Sequence, residues 1–147
     1  MVTARFKRPY GILAALMLAC LPAATLAQET VAQKTLPQDK SMPVMAGGEA
    51  DFDACGSQGL VRDLDPQGGD GFLAVRAGPG SGYAMRDKVF NGYVLHICDD
   101  RGPWLGVVYS HKTEDCGVGT PWPQARAYTG PCRVGWVFRK YVKDYAG

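Results

Sequence analysis

Apolar residues in this chain fall into short runs that are separated by glycine, proline, asparagine and aspartate. The runs predict β-strands at residues 59–64, 72–75, 93–98, 104–109 and 135–138. Asn91-Gly92, a dipeptide typical of tight hairpin turns, lies directly before the third run. No segment repeats apolar residues at helical spacing, so the pattern predicts an all-β domain, either a small barrel or a compact sandwich.

Residues 72–83 combine a predicted strand with an unusual loop. The strand leads into Arg76, then into Gly78-Pro79-Gly80, and the segment ends at Tyr83. Glycine adopts backbone angles that other residues resist, and proline fixes its own φ and donates no hydrogen bond. We therefore predict a stiff, shaped loop with Tyr83 on its rim, and loops of this kind often carry recognition.

Basic residues precede an apolar stretch at the start of the chain. The stretch covers residues 11–20, and residues 25–27 have the small-x-small pattern of a signal peptidase site. The basic residues are Arg5, Lys7 and Arg8. We expect residues 1–27 to be a signal peptide, which would contact a membrane only before its cleavage.

Two other interpretations of this leader remain open. A membrane anchor is disfavoured because Pro22 interrupts a run that is short of the roughly 20 residues that span a bilayer. A lipoprotein signal would use Cys20, but large Leu18 stands where such signals usually have a small residue.

Residues 28–50 contain no aromatic side chain but several prolines and glycines. Such a segment buries too little apolar area to offset the entropy of ordering it, which predicts a disordered linker. One folded domain is then expected at residues 51–147. A core of fewer than about 100 residues is marginal and gains from disulfides.

The net charge argues against one class of partner. Without residues 1–27 the chain keeps thirteen basic and fourteen acidic residues, a net charge of −1. Nucleic-acid binding requires a basic face. We therefore expect no nucleic-acid partner.

The cysteine count predicts an oxidising compartment. An even set remains after residue 27, namely Cys55, Cys98, Cys116 and Cys132. In an exported chain this predicts two disulfides, although the sequence alone does not choose among the possible pairings. A zinc site is disfavoured because no Cys-x-x-Cys motif is present, and we expect no metal and no cofactor.

Four motifs in order resemble those of the bacterial SH3 (SH3b) family of exported proteins. They are Val75-Arg76-Ala77-Gly78-Pro79-Gly80 with Tyr83, Asn91-Gly92 before residues 93–98, Gly102-Pro103-Trp104 with Val107-Val108-Tyr109, and Gly135-Trp136-Val137 with Tyr141-Val142. The resemblance covers about residues 72–142. It implies an SH3-like barrel of about five strands, consistent with short strands between turns.

The chain departs from the family pattern at two places. Ala74 stands where the family often has Asn, and residues 110–134 form an insertion that contains Trp122 between two prolines. We prefer a Cys116–Cys132 bridge that braces this insertion, which leaves Cys55 to pair with Cys98. Closing a loop of about 17 residues is worth about 3 kcal/mol in the chain-entropy model.

The resemblance implies an exported, non-catalytic binding module, periplasmic or secreted in a bacterium. Its leading partner is cell-wall peptide or glycan, bound in an aromatic-lined groove, and the alternative is an exported protein bound by the 110–134 insertion. The expected ligand-binding residues are Arg76, Tyr83, Trp104, Tyr109 and Tyr141. Arg76 could hold a ligand carboxylate, but a surface ion pair with Asp87 or Asp70 is favoured.

Catalysis has little support in the sequence, and we expect no catalytic residues. His96 and His111 are the only histidines. The one candidate for nucleophilic catalysis is a Cys116–His111 pair, with Cys116 as the nucleophile. A nucleophilic cysteine must be a free thiolate, whereas Cys116 is expected to be half of a disulfide. A thiol-active enzyme is the third and weakest hypothesis.

Overall fold

The structure is a computed structural model that describes residues 40–69 and 71–146. The predicted signal peptide and residues 28–39 of the predicted linker lie outside the described residues. The described chain is all-β, which confirms the predicted class. Its strands are β1 (Met45–Ala46), β2 (Glu49–Asp53), β3 (Ser57–Val61), β4 (Leu73–Arg76), β5 (Met85–Val89), β6 (Val94–Arg101), β7 (Trp104–Tyr109), β8 (Pro121–Trp122), β9 (Arg126–Ala127), β10 (Arg133–Phe138) and β11 (Val142–Ala146), with a 3₁₀ turn at Arg139–Tyr141.

Seven strands form one antiparallel sheet in the order β11-β3-β6-β7-β10-β4-β5. The five predicted strands correspond to β3, β4, β6, β7 and β10, and the structure adds β5 and β11 at the two edges. These edge strands do not pair with each other. The sheet is therefore larger than the expected five strands and does not close into a hydrogen-bonded barrel. No helix among the described residues has the length and apolar character needed to cross a membrane.

The main core lies on one face of this sheet and follows the alternation of its strands. In β4, Leu73 and Val75 are buried while the residues between and after them are partly exposed. The buried members are Val61, Leu73, Val75, Val89, Leu95, Leu105, Val107, Tyr109 and Val137. Branched and aromatic side chains of this kind favour a pleated, half-buried surface, which explains why these runs form strands.

The insertion covers the other face of β7 and builds a second, smaller core. Val108 and Tyr128 are buried there together with both disulfides, which join Cys55 to Cys98 and Cys116 to Cys132. The preferred disulfide pairing is thus confirmed. The Tyr128 hydroxyl donates to the carbonyl of Cys116 and accepts from the backbone N–H of Cys132, at 3.0 and 3.1 Å.

The segment before residue 51 belongs to the fold, which corrects the predicted linker where the structure describes it. Val44 is 2% exposed and Ala46 is fully buried in the second core. The Trp136 indole donates to the carbonyl of Met42 at 2.8 Å, and the backbone N–H of Met42 donates to Ala77. The linker prediction failed here because the burial is carried by two residues, Val44 and Ala46, in a short run that has prolines and glycines but no aromatic side chain.

Candidate functional site

An open groove of about 530 Å³ lies beside the 3₁₀ turn. Its walls come from the loop that follows β3, from β4, from the first residue of β7, and from the turn itself. We call it the aromatic groove and define it by Arg76, Trp104, Phe138, Lys140 and Tyr141. Three of the five expected ligand-binding residues, Arg76, Trp104 and Tyr141, meet here.

Three aromatic rings follow one another along this groove. Trp104 and Phe138 are cross-strand partners in β7 and β10, with ring centroids 5.5 Å apart. Phe138 then contacts Tyr141 in the 3₁₀ turn at 6.4 Å. Phe138 was missed by sequence reasoning, although the strand pairing that places it opposite Trp104 could have indicated it. Cross-strand aromatic pairs of this kind stabilise the sheet and also offer flat contact area to a ligand.

The loop after β4 orients Arg76. Arg76 Nη1 donates to the backbone carbonyl of Tyr83 at 2.9 Å. The Tyr83 ring packs over the backbone of Gly78 and Gly80. A Cβ atom at Gly78 would collide with the ring, and a Cβ atom at Gly80 would lie 3.3 Å from Tyr83 Cδ2. Tyr83 therefore does not line the aromatic groove. Its contribution is to close the stiff loop and to hold one end of the guanidinium.

The favoured ion pair between Arg76 and Asp87 is not formed. Both of these residues have other partners, and Asp70, the other candidate, lies outside the described residues. Elsewhere in the groove, Lys143 pairs with Asp63 at 3.3 Å, and Lys140 Nζ lies 5.3 Å from the centroid of the Tyr141 ring. The groove thus contains both cationic and aromatic groups.

Tyr109 is a core residue, which corrects its expected place in the ligand site. It is 1% exposed, and its hydroxyl donates to Asp87 Oδ2 at 2.7 Å. Burial and the neighbouring carboxylate raise the pKa of Tyr109, so the phenol stays protonated. It cannot touch a ligand without unfolding of the sheet.

Asp87 is the centre of a polar cluster that sequence reasoning missed. Its Oδ2 atom accepts from Tyr109, from His111 Nε2 at 2.7 Å and from Arg133 Nη1 at 3.1 Å. The Tyr93 hydroxyl lies 2.8 Å from His111 Nδ1. Partial burial opposes ionisation of Asp87, but the hydrogen bonds from His111 and Tyr109 together outweigh it and hold its pKa at about 2. No local motif reveals this cluster, since its members are far apart in sequence.

The remaining candidates are engaged in structural contacts. All four cysteines of the described chain are in disulfides, so the Cys116–His111 pair has no thiolate. His96 is half-buried in β6, and burial lowers its pKa. Trp122 stacks on Tyr128 with rings 6° from parallel, and Arg126 lies 4.0 Å over its ring. The part of the chain that the structure describes holds no cluster of three or more metal-ligating groups.

Comparison of the chain with protein-family models, with curated proteins and with solved structures finds no match. The fold and the site therefore define the class on their own: an all-β domain with two disulfides and an aromatic groove beside a 3₁₀ turn.

Proposed function

We propose that this chain is an exported, non-catalytic SH3b-like binding module that recognises cell-wall peptide or glycan through the aromatic groove. The observation that carries the proposal is the row of Trp104, Phe138 and Tyr141 along an open groove that also contains Arg76 and Lys140. Shallow grooves of this type suit extended ligands, because flat rings give contact area at a low entropy cost.

Rigid elements hold the groove in shape. Trp104 and Phe138 are on paired strands, and Arg76 is fixed by the Tyr83 carbonyl. A pre-shaped site loses little conformational entropy when a ligand binds. The positions of these groups therefore favour binding, whereas the described residues offer no free thiol for the enzymatic hypothesis.

Export is supported by the two disulfides and by the leader-like residues 1–27. Disulfides persist in the periplasm and outside the cell and are rare in the cytosol. A periplasmic or secreted location in a bacterium would bring the groove to the cell wall.

Co-sedimentation with purified peptidoglycan sacculi tests this proposal. We expect the protein to be depleted from the supernatant, the Trp104→Ala variant to remain in it, and Trp122→Ala to behave like the parent. Trp122 is a matched control because it is also a half-buried tryptophan but lies in the insertion, outside the groove. A parent protein that stays in the supernatant at low and at moderate salt would eliminate the cell wall as the partner.

A second candidate, an interaction module for another exported protein, is favoured by one observation at the insertion. Strand β2 pairs with β8 of the insertion and displays Phe52, which is 66% exposed. Chemical cross-linking in the periplasm tests this candidate. The Phe52→Ser variant should no longer be cross-linked to a partner protein, whereas the Trp104→Ala variant should still be. Retention of the partner by both variants would remove this surface as the docking site.

A further inference from the structure

Two cations of the aromatic groove have no carboxylate partner among residues 40–69 and 71–146. They are Arg76, whose hydrogen bond goes to a backbone carbonyl, and Lys140, whose ammonium lies over the Tyr141 ring. Most other arginines and lysines near this end of the sheet are paired: Lys143 with Asp63, Arg139 with Asp100, and Arg101 with Asp99. Positive charge without a carboxylate partner is thus present where the aromatic rings are.

Arg76 is oriented before any ligand arrives. A guanidinium has five N–H donors in a planar fork, and the Tyr83 carbonyl uses one of them at Nη1. Because one end is fixed, the donors that remain lose little freedom on binding a planar acceptor. A carboxylate matches this fork, since it can accept two parallel hydrogen bonds from it.

The two acidic residues that the structure describes in the groove wall do not neutralise these two cations. Asp63 pairs with Lys143, and Asp65 Oδ1 accepts the backbone N–H of Gln67 at 2.8 Å in a local turn. Both contacts lie within the loop after β3 and the adjacent edge strand. The positive charge of Arg76 and Lys140 is therefore available to a ligand.

We propose that the ligand of the aromatic groove is an extended peptide with a free carboxylate, and that Arg76 binds this carboxylate with Lys140 as a second cation. This inference rests on the proposed function and selects the peptide of the cell wall over its neutral glycan. Trp104, Phe138 and Tyr141 would contact the neighbouring apolar part of the peptide.

Sacculi with blocked carboxylates test the inference. A carbodiimide and ammonium chloride convert the peptide carboxylates of purified sacculi into amides and leave the glycan unchanged. We expect the apparent affinity to fall about fivefold or more after amidation, as for the loss of a charge-assisted hydrogen bond. Equal binding to native and amidated sacculi would overturn the inference but keep the proposed function, and no binding to either would overturn both.

Variants separate a contact in the groove from bulk charge attraction. Lys140→Gln changes an exposed side chain and should weaken binding to native sacculi only. Arg76→Lys keeps the charge but loses the fork and should also weaken it, with an unchanged circular dichroism spectrum as the folding control. Lys112→Gln removes the same charge outside the groove and should bind like the parent. If Lys112→Gln loses as much affinity as Lys140→Gln, the carboxylate is not bound in this groove.

Discussion

At the scale of single residues, Asp87 links three parts of the chain through one oxygen atom. It belongs to edge strand β5, and its partners are the end of β7, the first part of the insertion and the start of β10. The side chain is 20% exposed, so its charge is only partly screened by water. The cluster thereby fastens both ends of the insertion to the sheet.

Asp87→Asn should lower the free energy of unfolding by about 1–3 kcal/mol. An amide oxygen is a weaker acceptor than a carboxylate, and the new N–H₂ group would itself need a hydrogen-bond acceptor. Denaturant titration near neutral pH measures this loss. Asp53→Asn, at an exposed position of β2, is the control and should leave the stability unchanged.

The contribution of Asp87 to the free energy of unfolding should fall as the pH is lowered. Folding depresses the pKa of Asp87 from 3.8 to about 2. The ionised carboxylate therefore stabilises the fold above about pH 4, and this contribution is lost as the pH falls through about 2. The stability difference between the parent and Asp87→Asn should shrink over that window. A difference that stays constant would show that ionisation of Asp87 does not support the fold.

Gly78→Ala should destabilise the loop that orients Arg76. Its Cβ would collide with the Tyr83 ring, and displacement of that ring should cost about 1–3 kcal/mol in unfolding free energy. Gly82→Ala is the matched control, since its Cβ would meet nothing within 4 Å and should change stability by less than about 0.5 kcal/mol. Equal effects of the two substitutions would contradict this role of the loop.

At the scale of elements, the insertion is a braced unit between the end of β7 and the start of β10, whereas the groove contains the first residue of β7 and the last residue of β10. Replacing Cys116 and Cys132 by alanine should lower the unfolding free energy by about 3 kcal/mol, as expected for a loop of this length. Sacculus binding should persist in this variant, because neither residue lines the aromatic groove. Loss of binding by a variant that remains folded would place the site in the insertion instead.

The central strands could be predicted from the sequence, but the edges could not. Strands β3, β4, β6, β7 and β10 contain apolar runs, whereas β5 and β11 are mostly exposed and have charged residues between their apolar ones. Tyr109 was assigned to the wrong place for a related reason: the insertion covers the second face of β7, so residues 105–109 are all buried and alternation does not identify the ligand face. Arg76, Trp104 and Tyr141 were found because their motifs are local in sequence.

At the scale of the whole molecule, the fold begins before the predicted domain boundary. A chain that starts at Lys40 should be more stable than one that starts at Asp51 by about 3 kcal/mol or more, since the shorter chain loses the burial of Val44 and Ala46 and the acceptor of the Trp136 indole. Thermal or urea unfolding of the two chains provides the comparison. Equal stability would mean that this segment adds nothing to the core.

The two cores support different parts of the molecule. The main core supports the sheet that carries the aromatic groove, and the second core, with both disulfides, supports the insertion and the N-terminal segment. This division explains why ligand binding and insertion stability should respond to different substitutions.

The three tryptophans of the chain report directly on whether the aromatic groove binds a cell-wall peptide. Their indole N–H resonances can be followed separately by NMR while a soluble cell-wall peptide with a free carboxylate is added. Trp104 lines the groove, Trp122 lies in the insertion, and Trp136 is buried with its N–H bound to Met42. We expect a saturable shift of the Trp104 resonance, while the resonances of Trp122 and Trp136 stay in place. An unchanged Trp104 resonance, or a shift confined to Trp122, would contradict it.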